Sequence, residues 1–195
     1  ENTHRLFGVR LHANVELYSN NQLVHVESGE VQFRKDGISG IVILNISRFV
    51  DENKKNKIVI NPFKQENFEI SFSDFKNLYK ANKQFLFTLL PKELVEYGLS
   101  RLNLSDCEIE EKQLKDIFEY FSHLTFNITK LFGLEHATVS RGGISINDID
   151  YTFKSKKEKD VYFLGEIIDV DGPCGGYSLR IAINSAIIFA NHFKQ

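Results

Sequence analysis

From Leu6 to Leu17 the apolar residues fall on every second position (Val9, Leu11, Ala13, Val15, Leu17), the period of a strand with one buried face. Ser19-Asn20-Asn21 supplies a turn, and Gln22 to Val26 resumes the extended pattern. Ser28-Gly29-Glu30 reads as a second turn ahead of Val31 and Phe33. Lys57 to Asn61 predicts another strand, as does Leu124 to Lys130, with Leu124, Phe126 and Ile128 on one side. These signals point to an antiparallel meander or small barrel.

Between those strands the period changes to that of a helix. Phe72, Phe75, Leu78 and Tyr79 share a face, and Pro91 fits the first turn of a helix whose inner side is Leu94, Val95, Gly98, Leu99 and Leu102. Glu111 to Ser122 is the clearest helix, with Leu114, Ile117, Phe118 and Phe121 on one stripe. Ile41 to Phe49, behind Ser39 or Gly40 as a cap, fits a helix, while its β-branched content also permits a strand.

The last third reads differently. Ala137 to Ser140 predicts a short strand ending at Arg141-Gly142-Gly143, and Ile144 to Phe153 a hairpin or loop. Val161 to Leu164 is an apolar run of the kind found inside a parallel sheet. A loop dense in glycine and acid follows, holding Gly165, Glu166, Asp169, Asp171, Gly175 and Gly176. Tyr177 to Phe193 is then a helix apolar almost all round, which expects cover on more than one side. This order sets backbone N–H groups and the positive end of a helix dipole beside a loop that lets a ligand approach closely. Yet there is no GxGxxG, no acidic residue about 20 positions after one, and no preceding βαβ unit. One strand and one helix do not make a dinucleotide fold.

The fold class expected is therefore α+β: a small antiparallel β-barrel or meander with an inserted helical subdomain at about 71–122, and a strand-loop-helix piece at the end. We place the domain boundary between 136 and 137, giving domains 1–136 and 137–195. The chain of 195 residues suffices for one large domain or two small ones. A hydrophobic content of 42% and a charged content of 26% are those of an ordinary soluble globular protein. The net charge of −2 gives no basic excess for nucleic acid or an anionic membrane, and the lysine-rich stretches at 53–57 and 154–159 read as solvated loops. No apolar run reaches the roughly 20 residues that span a bilayer. Cys107 and Cys174 make neither a disulfide framework nor a zinc site, so a reducing compartment, the cytoplasm, is expected. Methionine is absent and the chain opens on Glu1-Asn2-Thr3-His4, which a processed tag or a piece cut from a longer protein would explain.

Thr138-Val-Ser-Arg-Gly-Gly-Ile-Ser145, then Gly165-Glu-Ile-Ile-Asp-Val-Asp-Gly172 and Gly175-Gly-Tyr177, resemble the closing segments of the HI0933-like (YhiN/BaiN-type) FAD-dependent oxidoreductases. The family's middle phrase, close to GELxFTHxGISGPAIL, is similar to Gly29 to Leu44. Here Arg34, Lys35 and Asp36 replace its threonine, histidine and variable residue, and Ile41 replaces its proline, so no histidine role carries over. The resemblance favours the helix after Gly40. It implies that 1–136 is the family's insert domain and 137–195 the C-terminal part of its FAD-binding domain, with the N-terminal half that cradles the pyrophosphate lacking a counterpart. On this reading the chain is a fragment, inactive alone and binding FAD weakly or not at all, whose partners are that N-terminal half and a small-molecule substrate of unknown identity. No nucleic-acid or membrane partner is expected.

The cofactor-binding residues implied are Arg141, Gly142, Gly143, Gly165, Glu166, Asp169, Gly175, Gly176 and Tyr177. Gly175 and Gly176 would turn their N–H groups to the flavin's pyrimidine end; the alternative is a tight strand-to-helix connection. Arg141-Gly142-Gly143 would approach the isoalloxazine, or simply form a tight turn. Glu166, with Asp169 nearby, would hydrogen-bond the ribityl or phosphate region; the alternative is loop acids capping turns, since Glu166, Asp169 and Asp171 lack the loop of a calcium site. Cys174 sits where a helix N-terminus lowers a thiol pKa, but no CxxC partner accompanies it. His4, His12, His25, His123, His136 and His192 have no ligand spacing, no metal is assigned, and the catalytic residues are unknown. Phe and Tyr at helical spacing build core rather than a flavin-stacking box. Two other readings stay open: a self-contained binding or interaction module without cofactor, and a small nucleotide-binding enzyme using the Gly175 loop, although no Walker lysine follows it.

Overall fold

The computed structural model of the protein describes residues 3–104 and 109–192, so Cys107 lies outside the described residues. The chain divides into two compact units, Glu1–Leu131 and Phe132–Gln195. The α+β class holds.

In the first unit, β1 (Arg10–Ser19) turns at Asn20–Asn21 into β2 (Gln22–Arg34), and a short β3 (Gly37–Ser39) folds back on the end of β2. With β4 (Asn56–Asn61) and β7 (Leu124–Ile128) they form one antiparallel sheet, ordered β3-β2-β1-β4-β7 and curled into a half-barrel. The alternation read from β1 is the reason it curls over a core. Leu11, Ala13, Val15 and Leu17 are buried on one face, where Val31, Ile58, Ile60, Leu124 and Phe126 meet them across the ladder.

The second turn expected at Ser28-Gly29-Glu30 is absent: these residues run through the middle of β2, paired with Asn14, Ala13 and His12. Gly29 serves a different need. A Cβ there would lie 3.2 Å from the Cβ of Val42, so the missing side chain lets α1 (Ile41–Ser47) settle on the sheet and bury Val42 and Ile46. Gly40 resolves the helix-or-strand ambiguity. It caps α1 at φ 108°, with a Cβ position only 2.2 Å from the Glu30 carbonyl oxygen, a site open to glycine alone.

The small hairpin β5 (Lys64–Gln65) and β6 (Phe68–Glu69) leads into the helical part: α2 (Phe72–Ala81), α3 (Leu86–Leu89), α4 (Lys92–Arg101) and α5 (Leu114–Ser122). A capping box starts α2. The Ser71 Oγ accepts from the Asp74 N–H at 3.2 Å, while the Asp74 carboxylate accepts from the Ser71 N–H at 3.1 Å. Pro91 is the N-cap of α4, whose buried side is Leu94, Val95, Gly98 and Leu99. Gly98 is the contact point with α5, since a Cβ there would stand 2.3 Å from the Phe121 ring.

In the second unit no multi-residue strand occurs among the described residues. Ala137 to Ser140 is exposed and irregular, because no sheet stands beside it to take its backbone groups. Val161 to Leu164 is extended but pairs antiparallel with 153–155, through one bridge (Lys154 to Tyr162) and bonds from Ser155 N to Val161 O and Phe163 N to Phe153 O, rather than lying inside a parallel sheet. The long helix is present as α6 (Tyr177–His192). It buries Ser185 and half-buries Ser178, Ile181, Ala182 and Phe189, leaving Leu179, Ile183, Ile187 and Ile188 open to solvent.

Two predictions follow from the packing of the first unit. Gly98→Ala should lower the denaturant midpoint by the equivalent of about 1–3 kcal/mol, because overpacking against Phe121 outweighs the gain in helix propensity; a raised midpoint would contradict this contact. The Ser71 hydroxyl first, and its N–H second, hold the Asp74 carboxyl below the usual carboxylate range. A lowered folded-state pKa adds stability that is fully present above about pH 4 and is lost as pH falls through the lowered value. Ser71→Ala should therefore reduce the acid-side loss of stability seen in thermal melts between about pH 4 and 2.

Candidate functional site

The site is built from the turns of the second unit. Ile144 and Ile168 form a parallel bridge, with the Ile144 N–H donating to Ile167 O at 2.8 Å and the Asp169 N–H to Ile144 O at 2.9 Å. This clamps the Arg141–Gly143 turn against the acidic loop. The Gly142 N–H donates to Asp169 Oδ1 at 3.0 Å, and Arg141 Nε lies 3.9 Å from Asp171 Oδ2. Gly143, at φ 133°, crosses so close to the loop that a Cβ would sit 2.4 Å from Ile167 O. Arg141, Gly142, Gly143 and Asp169 are thus brought together by backbone contact.

Gly165 is buried at φ 74° and opens a 3-10 turn, Gly165–Ile167, that carries Glu166 outward. Its N–H donates to Ser185 Oγ of α6 at 2.9 Å. Between the Ala137–Ser140 segment, the Glu166–Asp171 loop and the start of α6 lies a cleft of about 310 Å³, lined by Thr138, Ser140, Glu166, Ile168, Asp171 and Ser178 among others. Its lining offers hydroxyl and carboxylate groups from three separate segments, a mixture suited to a polyhydroxy or amide-bearing ligand, and its volume is at the small end for ligand sites.

Gly175 and Gly176 take φ 132° and 87°, are exposed, and leave open space where a Cβ would stand; the Gly176 carbonyl receives the Arg180 N–H as α6 begins. Tyr177 opens the helix with its ring over Gly172, whose Cβ position would fall within 2.0 Å of that ring. None of these three lines the cleft, although Ser178, the next residue, does. Cys174 is exposed. Thr138 and Ser140 lie in the Thr138–Ser145 segment already singled out, though not among the residues assigned to the cofactor, while Ser178 and Ser185 carry no motif of their own. Nothing in the sequence set Ser185 apart from the other polar residues of α6, Ser178, Arg180, Asn184 and Asn191.

In the same unit, Asp150 Oδ1 accepts from the Thr152 hydroxyl at 2.7 Å, the Thr152 N–H at 2.8 Å and the Lys154 N–H at 3.0 Å. The Thr152 hydroxyl is the main reason the Asp150 carboxyl is held below its usual range. Lys154, Lys156 and Lys157 are tied to Asp160, the Asn147 carbonyl and Asp148. Among the described residues no group of three or more His, Cys, Asp or Glu side chains is placed to hold a metal ion. No helix among them is long and apolar enough to cross a membrane.

Comparison with known proteins matches residues 1–139 to a family model described as the HI0933-like protein barrel and H2TH domain. The chain is 29% identical over 189 residues to a 3-dehydro-bile acid delta(4,6)-reductase of Clostridium scindens, covering 90% of this chain and 46% of that protein. It is 29% identical over 161 residues to a ribosomal RNA dihydrouridine synthase of Haemophilus influenzae, covering 80% and 40%. The Escherichia coli protein of the same name matches at 29% over 160 residues, covering 79% and 40%. The chain thus spans less than half the length of these curated relatives.

The turn geometry distinguishes two neighbouring glycines. Gly142→Ala should cost about 1–2 kcal/mol, the left-handed backbone penalty alone, since nothing stands near its Cβ position. Gly143→Ala adds the clash with Ile167 O and should cost more; equal losses in thermal melting of the two variants would show that the clamp is not as described.

Proposed function

The chain belongs to the HI0933-like family, and on that premise we propose that it forms part of a FAD-dependent oxidoreductase whose flavin is met by the glycine-rich turns of Phe132–Gln195. The observation that supports this best is the cleft beside α6, where hydroxyls, the Glu166 carboxylate and the helix start converge. The residues suit a flavin. Gly175 and Gly176 leave their backbone uncovered at the head of a helix of 16 residues, where dipole and N–H groups favour the electron-rich end of the ring system. Glu166, exposed beside Thr138 and Ser140, can accept from ribityl hydroxyls. Asp169 keeps one oxygen on the Gly142 N–H, so its first role is to hold the turn. Bound FAD would supply the transfer of hydride; the chain's part is to bind, orient and exclude water.

The first unit, in this reading, shapes the substrate side. The relatives' names refer to a bile acid and to ribosomal RNA, two chemically distant substrates, and with Arg34, Lys35 and Asp36 in the family phrase no histidine role carries over to this chain. The partner we propose is a dinucleotide-binding half of the same protein, set in the cytoplasm. That half would hold the pyrophosphate and cover the solvent-facing Leu179, Ile183 and Ile187 of α6. The chain alone would then be inactive.

The test is a visible spectrum, about 350–500 nm, after mixing with FAD and desalting, run on this chain and on a longer product carrying a dinucleotide-binding half. Flavin on the longer protein only is the expected result. Stoichiometric flavin on this chain would overturn the need for a second half. Flavin on neither would leave a cofactor-free interaction module in place of the oxidoreductase.

A further inference from the structure

Ser185 is the buried residue of α6, 1% exposed on a helix otherwise rich in isoleucine and alanine. A hydroxyl in that position is costly unless both its roles are used. Here both are. The Oγ donates to the Ala182 carbonyl at 3.0 Å, as a serine one turn up a helix commonly does, and this leaves its lone pair aimed at the neighbouring segment. There it accepts the N–H of Gly165 at 2.9 Å in a fully buried bond.

Gly165 is where that bond matters. Its backbone stands at φ 74°, its N–H points into α6, and its carbonyl receives the Ile168 N–H at 3.2 Å to close the short turn. The next residue along is Glu166, which lines the cleft together with Ile168, Val170 and Asp171. The lining also includes Ser178, about two turns along α6 from Ser185. The Glu166 turn and α6, which both contribute to the lining, are therefore tied by a buried hydrogen bond. Beyond it, the Tyr162 and Phe189 rings meet edge to face at 5.0 Å and keep the helix docked. The Tyr162–Phe189 contact is thus a second attachment of α6, in addition to its packing on the Gly165 turn.

We propose that Ser185 is a positioning residue: through Gly165 it fixes where the Glu166 carboxylate stands relative to the head of α6, and so sets the spacing a polyhydroxy ligand meets in the cleft. Taking that ligand to be the ribityl part of FAD rests on the reading above. The latch itself rests only on the geometry of Gly165, Ser185 and Ala182.

Ser185→Ala removes the hydroxyl with little change in volume, and Ser185→Thr keeps it. Amide hydrogen exchange on this chain should show Gly165 exchanging about tenfold faster in the alanine variant and close to wild type in the threonine variant, with a lowered melting temperature in the former, where the buried Gly165 N–H loses its acceptor, restored by threonine. On the longer, flavin-bearing protein, the alanine variant should weaken FAD binding several-fold and shift the visible band, with rescue by threonine. Unchanged Gly165 exchange in Ser185→Ala would overturn the latch, whatever becomes of the threonine variant. A Gly165 response with an unaltered flavin band and affinity would overturn its role in ligand spacing. A longer protein that takes no flavin, with the Gly165 response intact, would remove the flavin reading and leave the latch standing.

Discussion

The ring of Phe63, 1% exposed, is the contact on which the first unit depends. It lies just past the end of β4, where its N–H donates to the Asn61 side chain and its carbonyl receives the Ile70 N–H, so the backbone is held from both sides. The ring stacks on Phe118 at 5.5 Å, tilts onto Phe75 at 5.4 Å and meets Phe121 edge-on at 6.4 Å. Phe75 passes the contact on to Phe85 at 4.7 Å. One side chain from the sheet's margin thus gathers α2, α5 and the residue ahead of α3. Each aromatic pair is worth about 0.5–1.5 kcal/mol beyond the area it buries, and emptying the centre would cost several kilocalories through the cavity left behind, on the order of 3–5 kcal/mol.

Around that centre, close approach is bought by glycine. Gly29 admits α1 to the sheet, Gly98 admits α4 to α5, and in the second unit Gly143 admits one turn to another. Gly40 and Gly143 combine such a close approach with a left-handed backbone, and at both the space for a side chain is filled by a carbonyl oxygen. The positions share a cause: a flat, side-chain-free patch is the cheapest way to bring two backbones, or a helix and a sheet, within van der Waals contact.

These glycines also explain what could and could not be read in advance. The β1 alternation and the Leu114–Phe121 stripe are local periodicities, and each became the element it signalled. Gly29 has the sequence signature of a turn because a glycine between two polar residues looks the same whether it bends the chain or clears room for a helix 13 residues away. Ala137–Ser140 and Val161–Leu164 have the composition of strands, but a strand is a pairing property, and in this unit the neighbours available are a turn and a hairpin arm. At the candidate site the motif residues were legible because glycine and acid cluster in one stretch. The hydroxyls of Ser178 and Ser185 were not, because single serines acquire meaning only from what the fold sets against them.

The pairing of β4 with β7 has a consequence in time rather than in energy. Ile58 lies opposite Phe126, so closing this edge of the sheet means returning the chain across roughly 70 residues, which a hairpin such as β1–β2 never has to do. The intervening helices shorten that search once formed, because they replace a long flexible loop with a compact one held at Phe63. Assembly should accordingly be hierarchical. The β1–β2 hairpin and the aromatic cluster can form from nearby contacts, and the docking of β7 becomes the slow step that completes the sheet.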